Sequence, residues 1–420
     1  MNSTSAIADK LESIVGAAYV CPATPKDVFA GQRPEYVVSP GNEKELAAVL
    51  SSANEAGVAV IPRGGGTKLE WGNPPRHAHI ILSTTRLNRV LEHAWADLTV
   101  SVEAGCTLES LETKLDEHGQ RLALDALWPE RATVGGVLSS GDSGVLRLRF
   151  GALRDLIIGV TLALPDGTLA SSGGKVVKNV AGYDLPKLAT GAFGTLGIIT
   201  RAVFRLHPRC RDSLTLTFTA SSIEEMQRKI LRIQDSQLAQ TALQMRCADS
   251  HAPEADILFE ATPPGLLAQK AGLRDLVGEL RVRENPSPCW LARQCLWDAA
   301  QQNCLVAKLS VLPTDSAGAI RKLEEVAKSH GWQWKSVLQA TGIGWVRFDG
   351  PASSFDPALQ GLRSHFEAGG GSLVVLRRPS EMHRFDSWGN PGDAISVMRA
   401  LKQQLDPKGS LNPGRFVGGI

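Results

Sequence analysis

The stretch VAVIPRGGGTKLEWGNPP, Val58 to Pro75, constrains this chain more than any other. A short apolar run ends in proline and arginine, and Gly64, Gly65 and Gly66 follow at once. A chain that gives up three side chains straight after a buried strand exposes consecutive backbone N–H groups and removes the Cβ atoms that would block a ligand. Such a concavity binds anions, and phosphate is the usual one. Each N–H donated to a charged oxygen contributes about 1.5–3 kcal/mol. Arg63 and Lys68 flank the run and add positive potential. The spacing is not that of a P-loop, and Trp71 to Pro75 prevents the helix that a G-x-G-x-x-G site needs. From this run alone, a glycine-rich surface turn is an equal alternative.

Two further clusters shift the balance. WPERATVGGVLSSGDSGVLRLRFG, Trp128 to Gly151, brings a second Gly-Gly pair, small hydroxyls, Arg147 and Arg149. GAFGTLGIIT, Gly191 to Thr200, sets small residues before a β-branched strand. Three small-residue loops in one half of a chain suit one extended ligand with a pyrophosphate at its middle.

The surrounding pattern alternates short strands with amphipathic helices. Asn42 to Ala56 reads as a helix, with Leu46, Val49, Leu50 and Ala53 on one face, a capping box at Asn42 and Glu45, and Gly57 at its end. A strand over Val58–Pro62 follows, with others over Ala78–Ser83 and Leu98–Glu103 and a second helix over Thr107–His118. LIIGVTLALPDGTLASSGG reads as a hairpin turning at Pro165, Asp166 and Gly167. After His207 and Pro208 the glycines thin. Cys304 to Leu376 reads strand, helix, strand, strand, helix, strand, the ferredoxin-like order, with a looser version from Ser213 to Val282. The ending LDPKGSLNPGRFVGGI turns glycine-rich again and is expected to pack back on another domain.

The bulk numbers bound the rest. The 420 residues suffice for two or three domains. A formal charge of +2 makes no electrostatic case for nucleic acid. Seven cysteines without C-x-x-C spacing argue against an iron–sulfur or zinc site and against a disulfide framework. No basic region followed by an apolar run opens the sequence, and no run of about 18 apolar residues occurs, so neither a signal peptide nor a membrane span is expected.

The segments PEYVVSPGNEKELAAVLSSANEAGVAVIPRGGGT, VEAGCTLESL, ATVGG, FGALRDLIIGVTLALPDGT, GGKVVKNVAGYDLPKL and GTLGIIT, with the ending LNPGRF, resemble in order the vanillyl-alcohol-oxidase and p-cresol-methylhydroxylase (PCMH) FAD-binding flavoproteins. RGGGTKLEWGNPP, LEHAWADLTVSVEAG, GQRLALDALWPERATVGG and LNPGRFVGGI are similar to the FAD-binding E-type subunits of bacterial glycolate oxidases. The resemblance implies an α+β architecture: an N-terminal extension (1–33), a two-subdomain PCMH-type FAD-binding domain (34–208), a ferredoxin-like α+β substrate or partner domain (209–400), and a tail (401–420) returning to the FAD domain. It implies that Pro62, Arg63, Gly64, Gly65, Gly66 and Thr67 wrap the pyrophosphate. Thr133, Gly135, Gly136 and Ser140 would approach the flavin and phosphate side. Asp142, Ser143, Gly144, Arg149 and Gly151 would line the middle. Gly194, Gly197, Ile198 and Ile199 would hold the adenine end, and Asn412 and Arg415 would close over the rings. Relatives usually carry Asn where this chain has Gly141, so one amide contact is missing. Thr67 stands at the loop position used for covalent attachment in relatives, and Cys106 reads as core packing, so noncovalent FAD is expected.

Oxidation of a 2-hydroxy acid requires a cation for the carboxylate and a base for the hydroxyl proton. The histidine-rich H-P-G-x-G-N-x-H-like segment of catalytic relatives is not found. His383 and Arg378 are the candidate catalytic residues, and an exposed basic loop or partner surface is the alternative for both. Lys178, Asn179, Tyr183 and Asp184 lie near the flavin by resemblance, or form a structural turn. The resemblance implies a cytoplasmic subunit of a glycolate oxidase complex, with a larger homologous flavin subunit and an iron–sulfur subunit as partners and contact with the inner face of the membrane only through them. A self-sufficient oxidoreductase of D-lactate or a similar acid, and a scaffold that binds flavin without catalysis, are the alternatives. Replacing Gly65 with Val is expected to abolish flavin retention, read as loss of visible absorbance in the purified protein; unchanged absorbance would contradict the loop assignment.

Overall fold

The computed structural model describes residues 3–174, 183–283, 286–298 and 303–420. They divide into two compact units: residues 1–144, 150–209 and 390–420 in the first, and 145–149 and 210–389 in the second. The first unit therefore takes in the N-terminal segment as well as the tail. The expected boundaries at residues 33 and 400 shift because Ile7, Leu11 and Val15 of the helix Ser3–Val15 join the same core as Leu46, Val49, Leu50 and Ala53. On the second boundary, the helix Ile395–Leu405 lies in the first unit with the tail.

The first unit holds two larger sheets. One has four strands in the order Val20–Pro22, Tyr36–Val38, Ile80–Ser83, Val60–Arg63, the last three parallel. The other is antiparallel and has five, in the order Val90–Ala94, Thr99–Glu103, Ile198–Arg205, Ile157–Ala163, Leu169–Gly173. The helix Glu43–Ala56 lays its apolar face on the first sheet and delivers the chain into Val60–Arg63. Asn42 caps it, its side chain accepting from Glu45 N at 3.0 Å, and Gly57 closes it in the left-handed conformation at φ 69°. The tail adds to this sheet: Val60 N donates to Ser410 O at 2.8 Å and Asn412 N to Val60 O at 2.9 Å. Leu411 is thereby buried in the core of the first sheet.

The second unit carries the ferredoxin-like order twice. Ser213–Thr219, Ile223–Gln234, Gln240–Ala248, Glu254–Glu260, Pro263–Val277 and Arg281–Arg283 form one module. Cys304–Ser310, Ser316–His330, Gln333–Gln339, Ile343–Asp349, Ala352–Ala368 and Ser372–Arg377 form the other. Their second strands pair antiparallel, Gln244 facing Gln339, so that one eight-stranded sheet runs through both. The four long helices bury one face of it through Met226, Ile230, Leu273, Leu323, Phe355 and Leu359. The architecture is α+β, as expected.

Because the Asn42 cap sets where the helix ahead of the glycine loop begins, Asn42→Ala is expected to lower the stability of the first unit by about 1 kcal/mol. Thermal denaturation followed by far-UV circular dichroism checks it.

Candidate flavin site

The strand Val60–Arg63 runs into an open groove. Pro62, Arg63, Gly64, Gly65, Gly66 and Thr67 form one wall, and Thr133, Gly135, Gly136 and Ser140 a second. Gly194, Ile198, Ile199, Asn412 and Arg415 complete it. Segments more than 300 residues apart in sequence thus meet at one cleft, all within the first unit.

The glycines are required first by packing. A Cβ on Gly65 would lie 1.7 Å from the Arg131 carbonyl oxygen, and one on Gly64 would lie 2.0 Å from Thr133 Oγ1. Gly66 has φ 72°, where a side chain is strained. The physical reason for the expected effect of Gly65→Val therefore changes: the collision is with the neighbouring loop, which holds the wall in place, and not only with the ligand. With the Cα atoms pressed on that loop, the backbone N–H groups of Gly64, Gly65, Gly66 and Thr67 have no hydrogen-bond acceptor among the described residues. The second wall is the short helix Val134–Ser140, capped by Thr133, whose hydroxyl accepts from Gly136 N at 3.4 Å. Gly135 presses on Ala104, to whose carbonyl it donates at 2.8 Å. Gly141 closes the helix at φ 64°, so glycine here serves a left-handed cap, a conformation Asn also tolerates.

The third loop is tied to both. Gly191 N donates to Leu138 O and Phe193 N to Ser139 O, each at 2.8 Å, and a Cβ on Gly194 would sit 2.8 Å from Pro62 Cγ. Asn412 Nδ2 donates to the Phe193 carbonyl. Lys402 binds Thr195 O at 2.7 Å and Leu411 O at 3.0 Å, which clamps this loop to the tail. Arg415 Nη2 donates to Trp71 O at 2.7 Å, tying the tail to the segment after the glycine loop.

Several expected residues stand elsewhere. Asp142 is buried in an ion pair with Lys68, and Ser143 is buried beside it in sequence. Gly144 lies against Asp125, and Gly151, at φ 84°, lies against Asp155. Gly197 packs on Leu164. Arg149 belongs to the second unit and donates to Thr241 Oγ1 at 2.9 Å. Tyr183 is exposed and Asp184 caps the helix Leu185–Ala189, while Lys178 and Asn179 lie outside the described residues. Cys106 is buried, and burial pushes its thiol up to about 11, which suits packing rather than attachment. His383 is exposed, and Arg378 Nη1 donates to the Phe385 carbonyl and the Ser387 hydroxyl. Lys68, Leu69, Thr84, Ser139 and Phe193 also line the groove and were not singled out as cofactor contacts. Phe193 and Ser139 lie inside the quoted motifs; Thr84 is brought in by the strand Ile80–Ser83 and carries no signal of its own.

The groove fits a dinucleotide on two observations. Four adjacent N–H groups await an acceptor such as a pyrophosphate, and Asn412 Oδ1 is buried with no partner and awaits a donor. FAD, when bound, supplies a two-electron acceptor. The chain's own residues supply the cradle, tail included.

Comparison with known proteins agrees. Residues 34–173 match the family model described as an FAD binding domain, and residues 387–416 match the C-terminal domain of FAD linked oxidases. A D-lactate dehydrogenase of Archaeoglobus fulgidus is 28% identical over 412 residues, covering 91% of each chain. The glycolate oxidase subunit GlcD of Bacillus subtilis is 32% identical over 191 residues, covering 46% of this chain and 41% of its own. Among solved structures, p-cresol methylhydroxylase with substrate bound superposes with a TM-score of 0.78 at 15% identity, covering 99% of this chain and 97% of that one. Fold and groove together define an FAD-dependent oxidoreductase. More particularly, residues 34–173 match an FAD binding domain, and the chain shares the fold of p-cresol methylhydroxylase.

The cation beside the loop is not free: Arg63 Nη1 binds Asp27 Oδ1 at 2.6 Å. Burial alone would raise the Asp27 carboxyl, but hydrogen bonds from Arg63 and Thr24 outweigh it and hold the group at about 2. A carboxylate depressed in the fold stabilises fully above its unfolded value of 3.8 and loses that contribution as pH falls through about 2. Asp27→Asn is therefore expected to destabilise the first unit near neutral pH, with the difference from the parent protein vanishing as pH falls from about 4 to about 2; urea denaturation across that range checks it.

Proposed function

We propose that this chain is the FAD-carrying subunit of a complex that oxidises glycolate to glyoxylate. The observation that carries the reading is that the whole flavin cradle, tail included, is built within the first unit. In the second unit, Arg378 Nη1 donates to the Phe385 carbonyl and the Ser387 hydroxyl, and His383 is exposed. Glycolate gives up two electrons and two protons on becoming glyoxylate. A larger homologous flavin subunit performs most of that oxidation, and an iron–sulfur subunit passes the electrons to an acceptor such as quinone. FAD is held without a covalent bond. Among the described residues no helix is long and apolar enough to cross a membrane, which accords with membrane contact through partners.

A second reading is a self-sufficient dehydrogenase of D-lactate or a similar 2-hydroxy acid. It is favoured by the D-lactate dehydrogenase relative, which aligns along nearly all of both chains.

The chain expressed alone is expected to be yellow, to release its flavin on acid precipitation, and to keep its colour under anaerobic glycolate or D-lactate until partner subunits are added. Bleaching of the isolated chain by either acid would select the second reading. A colourless protein that takes up no FAD would overturn both.

A further inference from the structure

The glycine loop ends at a buried lysine. Lys68 is 9% exposed and lies between Trp71 and Trp128, whose ring centroids are 5.6 and 5.5 Å from Nζ. Nζ is 3.2 Å from Asp142 Oδ2 and donates to Thr67 Oγ1 at 3.3 Å and to the Leu127 carbonyl at 3.4 Å. The same Asp142 oxygen accepts Leu127 N–H at 2.9 Å. Withdrawing an ammonium and a carboxylate from water is unfavourable, and their attraction rarely does more than offset the loss. A buried pair at this place is therefore poor evidence of added stability and needs another reason.

Its position supplies one. Lys68 directly follows the four N–H groups that lack an acceptor, and its partners are Leu127 and Asp142. The segment Leu127–Trp128 leads straight to Arg131, whose carbonyl oxygen seals the back of Gly65. At the other end of the loop, Arg63 is held by Asp27. The loop is thus bolted at both ends, and at each bolt the positive charge is matched by a carboxylate. The charge of Lys68 is used within the protein; Gly64 to Thr67, which line the groove, bring N–H groups with no acceptor among the described residues.

We propose that the Lys68–Asp142 pair, caged by Trp71 and Trp128, is a positioning device that holds Gly64–Thr67 in its anion-receiving conformation before the cofactor arrives. The inference rests on the flavin reading of the groove. A preformed loop spares the ordering cost that a mobile one incurs on binding.

The test compares the full-length parent protein, stripped of flavin, with K68M/D142N. Met keeps the stem between the indoles, Asn keeps an acceptor for Leu127 N–H, and no lone charge is left buried. Affinities for FAD, ADP and riboflavin are measured by titration. Order in the loop is read by hydrogen exchange at the amides of Leu69 and Trp71, which donate to the Gly66 and Lys68 carbonyls at 3.4 and 3.1 Å. The double variant is expected to melt within a few degrees of the parent, to exchange faster at these two amides, and to bind FAD and ADP about 30-fold more weakly. Riboflavin, which lacks phosphate, is expected to be unaffected, and K68R to restore FAD affinity to within about threefold of the parent. Unchanged FAD affinity, or weakened affinity with unchanged exchange, would overturn the proposal, as would an equal loss for riboflavin. Should the double variant not fold, the flavin-free parent still decides: Leu69 and Trp71 amides exchanging at the unprotected rate would overturn it, and protection would support it. A parent protein that takes up no FAD or ADP at all would instead remove the flavin reading on which this rests.

Discussion

The close approach of Gly64 and Gly65 to the segment Arg131–Thr133 is the contact on which the site depends. No side chain fits between them, because any Cβ would overlap the Arg131 carbonyl or the Thr133 hydroxyl. With the loop pressed on that segment, the N–H groups of Gly64, Gly65, Gly66 and Thr67 find no protein acceptor among the described residues. Unpaired main-chain donors are costly when buried and useful when a ligand satisfies them. Glycine here permits close packing and binding at once, and the packing comes first.

Holding such a loop requires anchors, since glycine-rich backbone loses much entropy on ordering. Arg63 with Asp27 and Lys68 with Asp142 fix the two ends. The tail adds more. Asn412, left-handed at φ 46°, reaches Phe193, and Arg415 reaches Trp71. Lys402, whose ammonium burial disfavours, binds carbonyls of both the third loop and the tail. The last residues of the chain therefore complete a cradle begun near residue 60, and opening the tail would expose one side of it.

The second unit is built on another logic. Two copies of one strand–helix order join edge to edge, so the pairing of Gln240–Ala248 with Gln333–Gln339 covers two sheet edges that would otherwise lie open. The helices bury one face, and the other carries charges satisfied among themselves, such as Arg246 with Asp256 and Glu254. The first module was the less regular reading in the sequence. Its third and fourth strands are separated by an amphipathic pattern weakened by Gly265 and Gly272, and its closing strand, Arg281–Arg283, is only three residues long.

Periodicity and turn chemistry were enough to place the helix ahead of the glycine loop, the strand that enters it, the hairpin at Pro165–Gly167 and the second ferredoxin-like module, because these depend on neighbours close in the chain. The motifs were likewise enough to name the groups that the groove gathers from its three loops and the tail. What the sequence could not say was which residues inside a motif face the cleft. Asp142, expected among the cofactor contacts, pairs with Lys68, and Gly197 packs on Leu164, while Ser139 and Phe193 line the groove. The reason is physical: a motif states which residues the backbone can tolerate, but the side on which each one ends is set by partners distant in sequence. For Lys68 that partner is Asp142, for Gly65 the Arg131 carbonyl, and for Phe193 the tail at Asn412, and only the folded chain brings them together.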